Sequence, residues 1–203
     1  MKSKDSAIIN EQFWDNLFTQ GTMPWDAKTT PQELKAYLEN ALHSGQSVFI
    51  PGCGAAYELS SFIQYGHDVI AMDYSQQAVK MAQSTLGKHK DKVVLGDVFN
   101  ADSTHSFDVI YERAFLAALP RDQWPDYFAM VDKLLPRGGL LIGYFVIDDD
   151  YHSRFPPFCL RSGELEGYLE PAFKLMESSV VANSVEVFKG RERWMVWQKS
   201  CSI

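Results

Sequence analysis

The sequence predicts an α/β domain: a doubly wound, seven-stranded, mostly parallel sheet with an antiparallel C-terminal strand. Three observations carry this. Short apolar runs alternate with amphipathic helical stripes from residue 31 onward. The apolar run "SVFIPG" passes through a glycine turn, "GCG", into a helical pattern. Two strand-like runs then close the chain with only a short connection between them, which excludes a parallel crossover and predicts an antiparallel pair.

Taken in order, "TPQELKAYLENALHSG" places Leu34, Leu38, Ala41 and Leu42 on one stripe, with Pro31 near its start and Gly45 just past its end, and reads as a helix. "SVFIPG" is a short buried strand, "YELSSFIQYG" a helix stopped at Gly66, and "DVIAMDY" a second strand. Ser75 is a good N-cap for "QQAVKMAQSTLG". "KVVLGD" and "FDVIYER" are two more strands, and "QWPDYFAMVDKLLPRGG" sets Trp124, Phe128, Val131 and Leu135 on a helical face. "GLLIGYFVI" is a fifth strand. An irregular "DDDYHSRFPPFCLRS" and a short helix "GELEGYLE" lead to the last two strands, "FKLMESSVV" and "RERWMVWQK". No repeat, low-complexity tract or linker interrupts the pattern, so residues 1–203 form one domain, with 1–30 a segment preceding a core of 31–203.

Composition narrows the function classes. A chain of 203 residues buries roughly 70% of its unfolded surface. A formal charge of −7 argues against a nucleic-acid backbone or an anionic membrane as partner, since both reward Lys/Arg clusters. Small molecules are the expected ligands. Cys53, Cys159 and Cys201 are scattered and form no CxxC, so neither a disulfide framework nor a structural zinc site is expected. The start "MKSKDSAIINEQ" lacks the apolar core of a signal peptide, and the longest uncharged apolar run, 138–147, is about half the ~20 residues a spanning helix needs. A cytoplasmic protein is expected, and a monomer, because no long exposed apolar stripe is visible.

In open α/β sheets ligands bind where strand order reverses, and the first strand–helix turn usually lies there. Gly52 and Gly54 occupy that turn, and Asp73 ends the second strand, about 20 residues on, where it is placed to accept bonds from ribose hydroxyls. The third glycine of a dinucleotide fingerprint falls on Tyr57, which disfavours a nicotinamide-dependent reductase. Glu58 in the same turn suits a cationic, phosphate-free nucleoside better than a pyrophosphate. S-adenosylmethionine is such a ligand. Asp97, closing the third strand, would then accept from the adenine amino group, with Val98 and Phe99 offering apolar surface to the ring. Each feature alone has a plain structural reading: glycine ends strands, and Asp73 could simply cap the next helix. Their combination is far more specific.

The stretches "FWDNLFTQGTMPWD", "FIPGCGAAYEL", "VIAMDYSQQAV", "VLGDVF", "FDVIYERAFLAALP", "LLPRGG" and "FPPF" resemble the seven-stranded class I methyltransferases. Within them the chain resembles the thiopurine S-methyltransferase family, which also holds halide/thiol methyltransferases. The resemblance covers most of the chain. It implies that Trp14, Phe18 and Trp25 lie in an N-terminal lid over the cofactor. It also implies that Gly52 and Gly54 meet the methionine end, Asp73 the ribose, Asp97 and Val98 the adenine, and that Arg113 lies near the reacting sulfur. Phe18 stands where a second lid tryptophan often sits, and Ala55–Ala56 replaces the more usual basic or polar residue plus glycine after the cysteine. Asp73 agrees with the halide/thiol branch and Arg113 with the thiopurine branch.

The implied activity is methyl transfer to a small thiol, halide or chalcogen nucleophile by in-line displacement. A catalytically silent cofactor-binding module is the alternative. Arg113 is the expected catalytic residue; its structural reading is an ion pair with a neighbour such as Glu112. Phe155 and Phe158, around Pro156–Pro157, are candidates for the substrate wall. No metal is expected, because Asp148, Asp149, Asp150 and His152 are near-consecutive loop residues, which rarely converge on one ion. His43, His67, His89 and His105 read as surface residues at element ends or in a polar turn, and Cys53 as structural.

Overall fold

The computed structural model describes residues 8–101 and 106–201. The first seven residues of the lid segment and of the stretch weighed as a signal peptide lie outside that range, as does His105.

Apolar residues alternate between two cores because the strands are buried on both faces. Strand β1 (Ser47–Pro51) is flanked by β2 (Asp68–Asp73) and β4 (Val109–Arg113), and it pairs parallel with both. With β3 (Val93–Leu95), β5 (Leu140–Val146), β6 (Phe173–Val180) and β7 (Glu192–Lys199) the sheet order is β3-β2-β1-β4-β5-β7-β6. β7 is antiparallel to both β5 and β6, so the other strands share one direction. Residues 181–191, with a turn at Glu186–Phe188, make the connection before it.

Period-two side-chain alternation sends Val48, Ile50, Tyr111, Ile142 and Tyr144 to one face. There they meet α2 (Gln32–Asn40), α3 (Tyr57–Gln64) and α4 (Gln76–Leu86) through Leu34, Leu38, Leu59, Phe62 and Ala82. Phe49, Ile110, Leu141, Phe145 and Trp197 go to the other face. They pack against Trp124, Tyr127, Val131 and Leu134 of α6 (Trp124–Leu134) and Leu165 and Leu169 of α7 (Glu164–Leu169). Each such large side chain contributes about 1.5–3 kcal/mol by leaving water. Two further helices, α1 (Glu11–Gln20) and the single turn α5 (Phe115–Ala118), stand at the carboxyl ends of the strands.

Two local readings differ from the sequence pattern. The helix expected to run toward Gly45 stops at Asn40, because the N–H groups of Ala41 and Leu42 both turn back to the carbonyl of Tyr37. Leu42 stays buried while Ala41 is exposed. His67, expected at the surface, is 5% exposed and packs edge-on against Phe62 at 5.9 Å, and burial lowers its imidazole pKa.

Strand order reverses between β1 and β4. Their carboxyl ends therefore open the crevice in which the glycine turn and Arg113 both stand.

Candidate active site

A cavity of about 380 Å³ fills this crevice, lined by Gly52, Gly54, Asp73, Gly96, Asp97, Val98, Phe99 and Arg113 from the strand ends and by Trp14, Phe18 and Trp25 from the N-terminal segment. The glycine turn is bare for a steric reason. Gly52 has φ +57°, and a Cβ there would lie 2.0 Å from the ring of Phe115. Gly54, at φ +52°, donates its N–H to Asp73 Oδ2 at 2.9 Å. Any side chain at Gly52 would collide with α5 and strain the backbone.

Asp73 is 7% exposed and also accepts the Ser75 N–H through Oδ1 at 2.9 Å. Burial pushes its carboxyl up to about 6, although these bonds pull the other way. Asp97 uses Oδ1 to accept from the Phe99 N–H at 3.0 Å and Oδ2 to accept from the Asn100 amide at 3.2 Å. That orders the short turn Val98–Asn100, whose Val98 is buried and whose Phe99 is half-buried, both in the cavity wall.

The roof is an aromatic chain on α1 and the loop after it. Asn10 caps α1 by accepting the Phe13 N–H. Phe13 meets Trp14 at 5.2 Å, Trp14 meets Trp25 at 5.4 Å, and Phe18 meets Trp25 at 6.1 Å, all edge-to-face. Asp15, between Trp14 and Phe18, accepts from the Ser75 hydroxyl at 2.5 Å and the Gln77 N–H at 3.2 Å, so α1 docks on the start of α4. Tyr57, at the third-glycine position, donates its hydroxyl to Asp26 Oδ2 at 3.4 Å and ties down the loop that carries Trp25.

Arg113 stands between this cavity and a second one of about 70 Å³ lined by Cys53, Tyr57, Glu58 and Tyr111 among others. Its ion-pair partner is not the adjacent Glu112. Neighbours along a strand point to opposite faces. Glu112 turns into the core beneath α5, accepting the Leu116 N–H at 3.0 Å and the Tyr127 hydroxyl at 2.8 Å. It is fully buried, and burial pushes its carboxyl up to about 7. Arg113 instead has its Nε 3.7 Å from Glu58 Oε1, with its guanidinium 4.7 Å above the Tyr144 ring. Glu58 thus faces the small cavity rather than the large one, which removes it as an argument about cofactor charge.

The expected substrate wall divides. Phe155 is 51% exposed and lines the cavity together with Pro156 and Pro157. Phe158 does not: it is 7% exposed in the α6-side core, with its N–H on the Ala117 carbonyl at 2.7 Å. Pro157 to Leu160 form one continuous buried run, and Phe158 points inward with it. The acids upstream are engaged in ordering the loop. Asp148 pairs with Arg191 at 2.9 Å, Asp149 accepts from Ser162, and His152 contacts Arg161 at 2.9 Å. Among the described residues no group of three or more His, Cys, Asp or Glu is arranged to hold a metal. Cys53 has its thiol pushed up by burial and then by Asp73 and Glu58, so it is not a thiolate nucleophile.

Known proteins share this fold. Residues 9–200 match the family model for Thiopurine S-methyltransferase (TPMT). The chain belongs to the thiopurine S-methyltransferase family. It is accordingly an S-adenosylmethionine-dependent methyltransferase. It is 31% identical over 199 residues to the probable thiol methyltransferase 2 of Arabidopsis thaliana, covering 94% of this chain and 86% of that one. It is 26% identical over 198 residues to thiocyanate methyltransferase 1 of the same plant, with the same coverage of 94% and 86%. It is 28% identical over 206 residues to a thiopurine S-methyltransferase of Shewanella sp. (strain ANA-3), covering 90% and 94%. Among solved structures, the Burkholderia thailandensis 1,6-didemethyltoxoflavin-N1-methyltransferase with bound S-adenosylhomocysteine superposes with a TM-score of 0.78 at 19% identity, covering 98% of this chain and 91% of that one.

Asp15, Glu58 and Glu112 are the residues around the site whose contacts sequence reading missed or misassigned. Each makes its decisive contact through the fold: Asp15 with Ser75 and Glu58 with Arg113 across long stretches of chain, and Glu112 by facing away from its neighbour.

Proposed function

We propose that this chain transfers a methyl group from S-adenosylmethionine to a small thiol, halide or related chalcogen nucleophile. The observation that carries the reading is Arg113, the one basic side chain among the described residues lining the 380 Å³ cavity, set in a wall that is otherwise apolar, uncharged polar or acidic. Relatives named for thiol, thiocyanate and thiopurine acceptors support the same class.

The residues present fit S-adenosylmethionine. Gly52 and Gly54 put bare backbone into the cavity wall, Asp73 is a buried acid in the same wall, and the turn carrying Asp97 and Val98 closes one end. In this reading Gly52 and Gly54 hold the amino-acid end, Asp73 the ribose hydroxyls, and Asp97 with Val98 the adenine. When bound, the cofactor supplies an electrophilic methyl group on a sulfonium whose leaving group is a neutral thioether, so no general acid is needed.

The protein's task is then placement and exclusion of water. Trp14, Phe18 and Trp25 act as a lid that keeps the crevice dry. Phe155 with Pro156 and Pro157 bounds the acceptor, and Arg113 orients its nucleophilic atom by hydrogen bonding. No helix among the described residues is long and apolar enough to cross a membrane, and a cytoplasmic monomer is part of the same reading.

The test is transfer of labelled methyl from S-adenosylmethionine to a panel of iodide, thiocyanate, hydrosulfide, an aromatic thiol and a thiopurine. Label in at least one of these is expected. Arg113→Ala should lower transfer at least tenfold more than it weakens S-adenosylhomocysteine binding; equal losses would remove Arg113 from the acceptor site.

A further inference from the structure

The walls of the two adjoining cavities carry the acids Glu11, Asp26, Glu58, Asp73 and Asp97, and against them Arg113 is the one basic side chain among the described lining residues. Arg113 is not a free cation. Its Nε lies 3.7 Å from Glu58 Oε1, and the two side chains are only 13% and 10% exposed. The Tyr111 hydroxyl, 3.5 Å from the same Oε1, steadies the carboxylate, and the Tyr144 ring covers the guanidinium at 4.7 Å. Buried Glu192 adds a further attraction from beyond ion-pair distance.

We propose that Glu58 sets the charge of the acceptor: by neutralising Arg113 it makes the pocket select an uncharged thiol over an inorganic anion such as thiocyanate, iodide or hydrosulfide. This rests on the methyl-transfer reading above. An anion entering the crevice gives up its hydration and meets a guanidinium already compensated at close range, with further acids around it. A neutral thiol has little hydration to lose, and the guanidinium N–H groups left over from Glu58 still orient its sulfur. As that neutral sulfur bonds the methyl carbon it becomes a protonated thioether, whose S–H then breaks and gives its proton to bulk water as the product leaves the crevice. The bond from methyl carbon to sulfonium sulfur breaks with its electron pair staying on that sulfur, so charge and atoms balance.

The experiment separates acceptor binding from turnover. Thiocyanate is titrated calorimetrically into the S-adenosylhomocysteine complex of the wild type and of Glu58→Gln, and labelled methyl transfer to thiocyanate and to benzyl thiol is measured for both. Glu58→Gln should bind thiocyanate at least tenfold more tightly than the wild type, and its kcat/KM ratio of thiocyanate to benzyl thiol should rise by a similar factor. Equal thiocyanate affinity in the two proteins overturns the proposal, and so does a wild type that binds thiocyanate in preference to benzyl thiol. Retained S-adenosylhomocysteine binding certifies the variant's fold; should Glu58→Gln lose it, Glu58→Met carries the same comparison. Tighter thiocyanate binding without methyl transfer to any acceptor would sustain the role of Glu58 and sink the acceptor class instead.

Discussion

Glu112 is a carboxyl group in the wrong place for its charge. Its folded-state pKa of about 7 stands well above the ~4.3 of an exposed glutamate, so the folded chain holds a proton that the unfolded chain releases. The stabilisation is therefore fully present below about pH 4 and is lost as pH rises toward 7; Asp73, at about 6, acts with the same sign. The full Glu112 effect is on the order of 4 kcal/mol at about 1.36 kcal/mol per unit. Glu112→Gln keeps an oxygen for the Leu116 N–H without the titration. Urea unfolding of the ligand-free protein at pH 5 and pH 8 should show a stability drop in the wild type that the variant largely lacks. An identical drop in both would rule out this origin.

At this scale the sequence speaks unevenly. A charged residue ending "FDVIYER" marks Arg113 for a site, because strand ends in such sheets face ligands. Nothing local says that Glu58, on a separate helix, is its partner. The alternation of β4 could have excluded Glu112, since one strand does not place adjacent residues on the same face.

Among the elements, α1 matters most to the crevice, because it holds two of the three roof aromatics yet has a single fully buried residue, Phe18, with Phe13 and Trp14 only partly buried against the core. Asp15 supplies the missing attachment by serving the Ser75 hydroxyl and the Gln77 N–H at the start of α4. Asp15→Ala should cost about 1 kcal/mol, as lost helix caps do, and loosen the roof. Acrylamide quenching of tryptophan should rise, and S-adenosylhomocysteine affinity should fall about five- to tenfold. Unchanged quenching would mean that aromatic packing alone holds α1. The aromatic content of this segment was legible in "FWDNLFTQGTMPWD". The docking was not, since an aspartate inside an amphipathic stripe looks like ordinary surface polarity. The same limit explains Phe158: prolines hide the phase of the residues after them, so a read of "FPPF" cannot tell the inward ring from the outward one.

Across the whole molecule, alternating strands and helices fixed a doubly wound sheet, and the closing pair fixed its antiparallel strand. These are properties of connection length and burial, which a sequence displays directly. What binds in the crevice is then coupled to the stability of the entire sheet. S-adenosylhomocysteine at 100 times its Kd should stabilise the fold by about 2.7 kcal/mol, roughly 5–10 °C in Tm for a chain of this size. A nicotinamide dinucleotide should give no shift. The reverse pattern would reassign the glycine turn to dinucleotides.

The reversal of β7 also sorts the cysteines. Because β7 runs opposite to its neighbours, it leads away from the crevice, and Cys201 emerges beside Gly138, 3.8 Å from where a Cβ would stand there, at the amino end of β5. Cys159 is buried and Cys53 half-buried in the glycine turn, while Cys201 is exposed. A thiol-reactive dye or surface linker should therefore couple at that one rear position. Immobilised in this way, every molecule would present its open crevice to the solution in the same orientation.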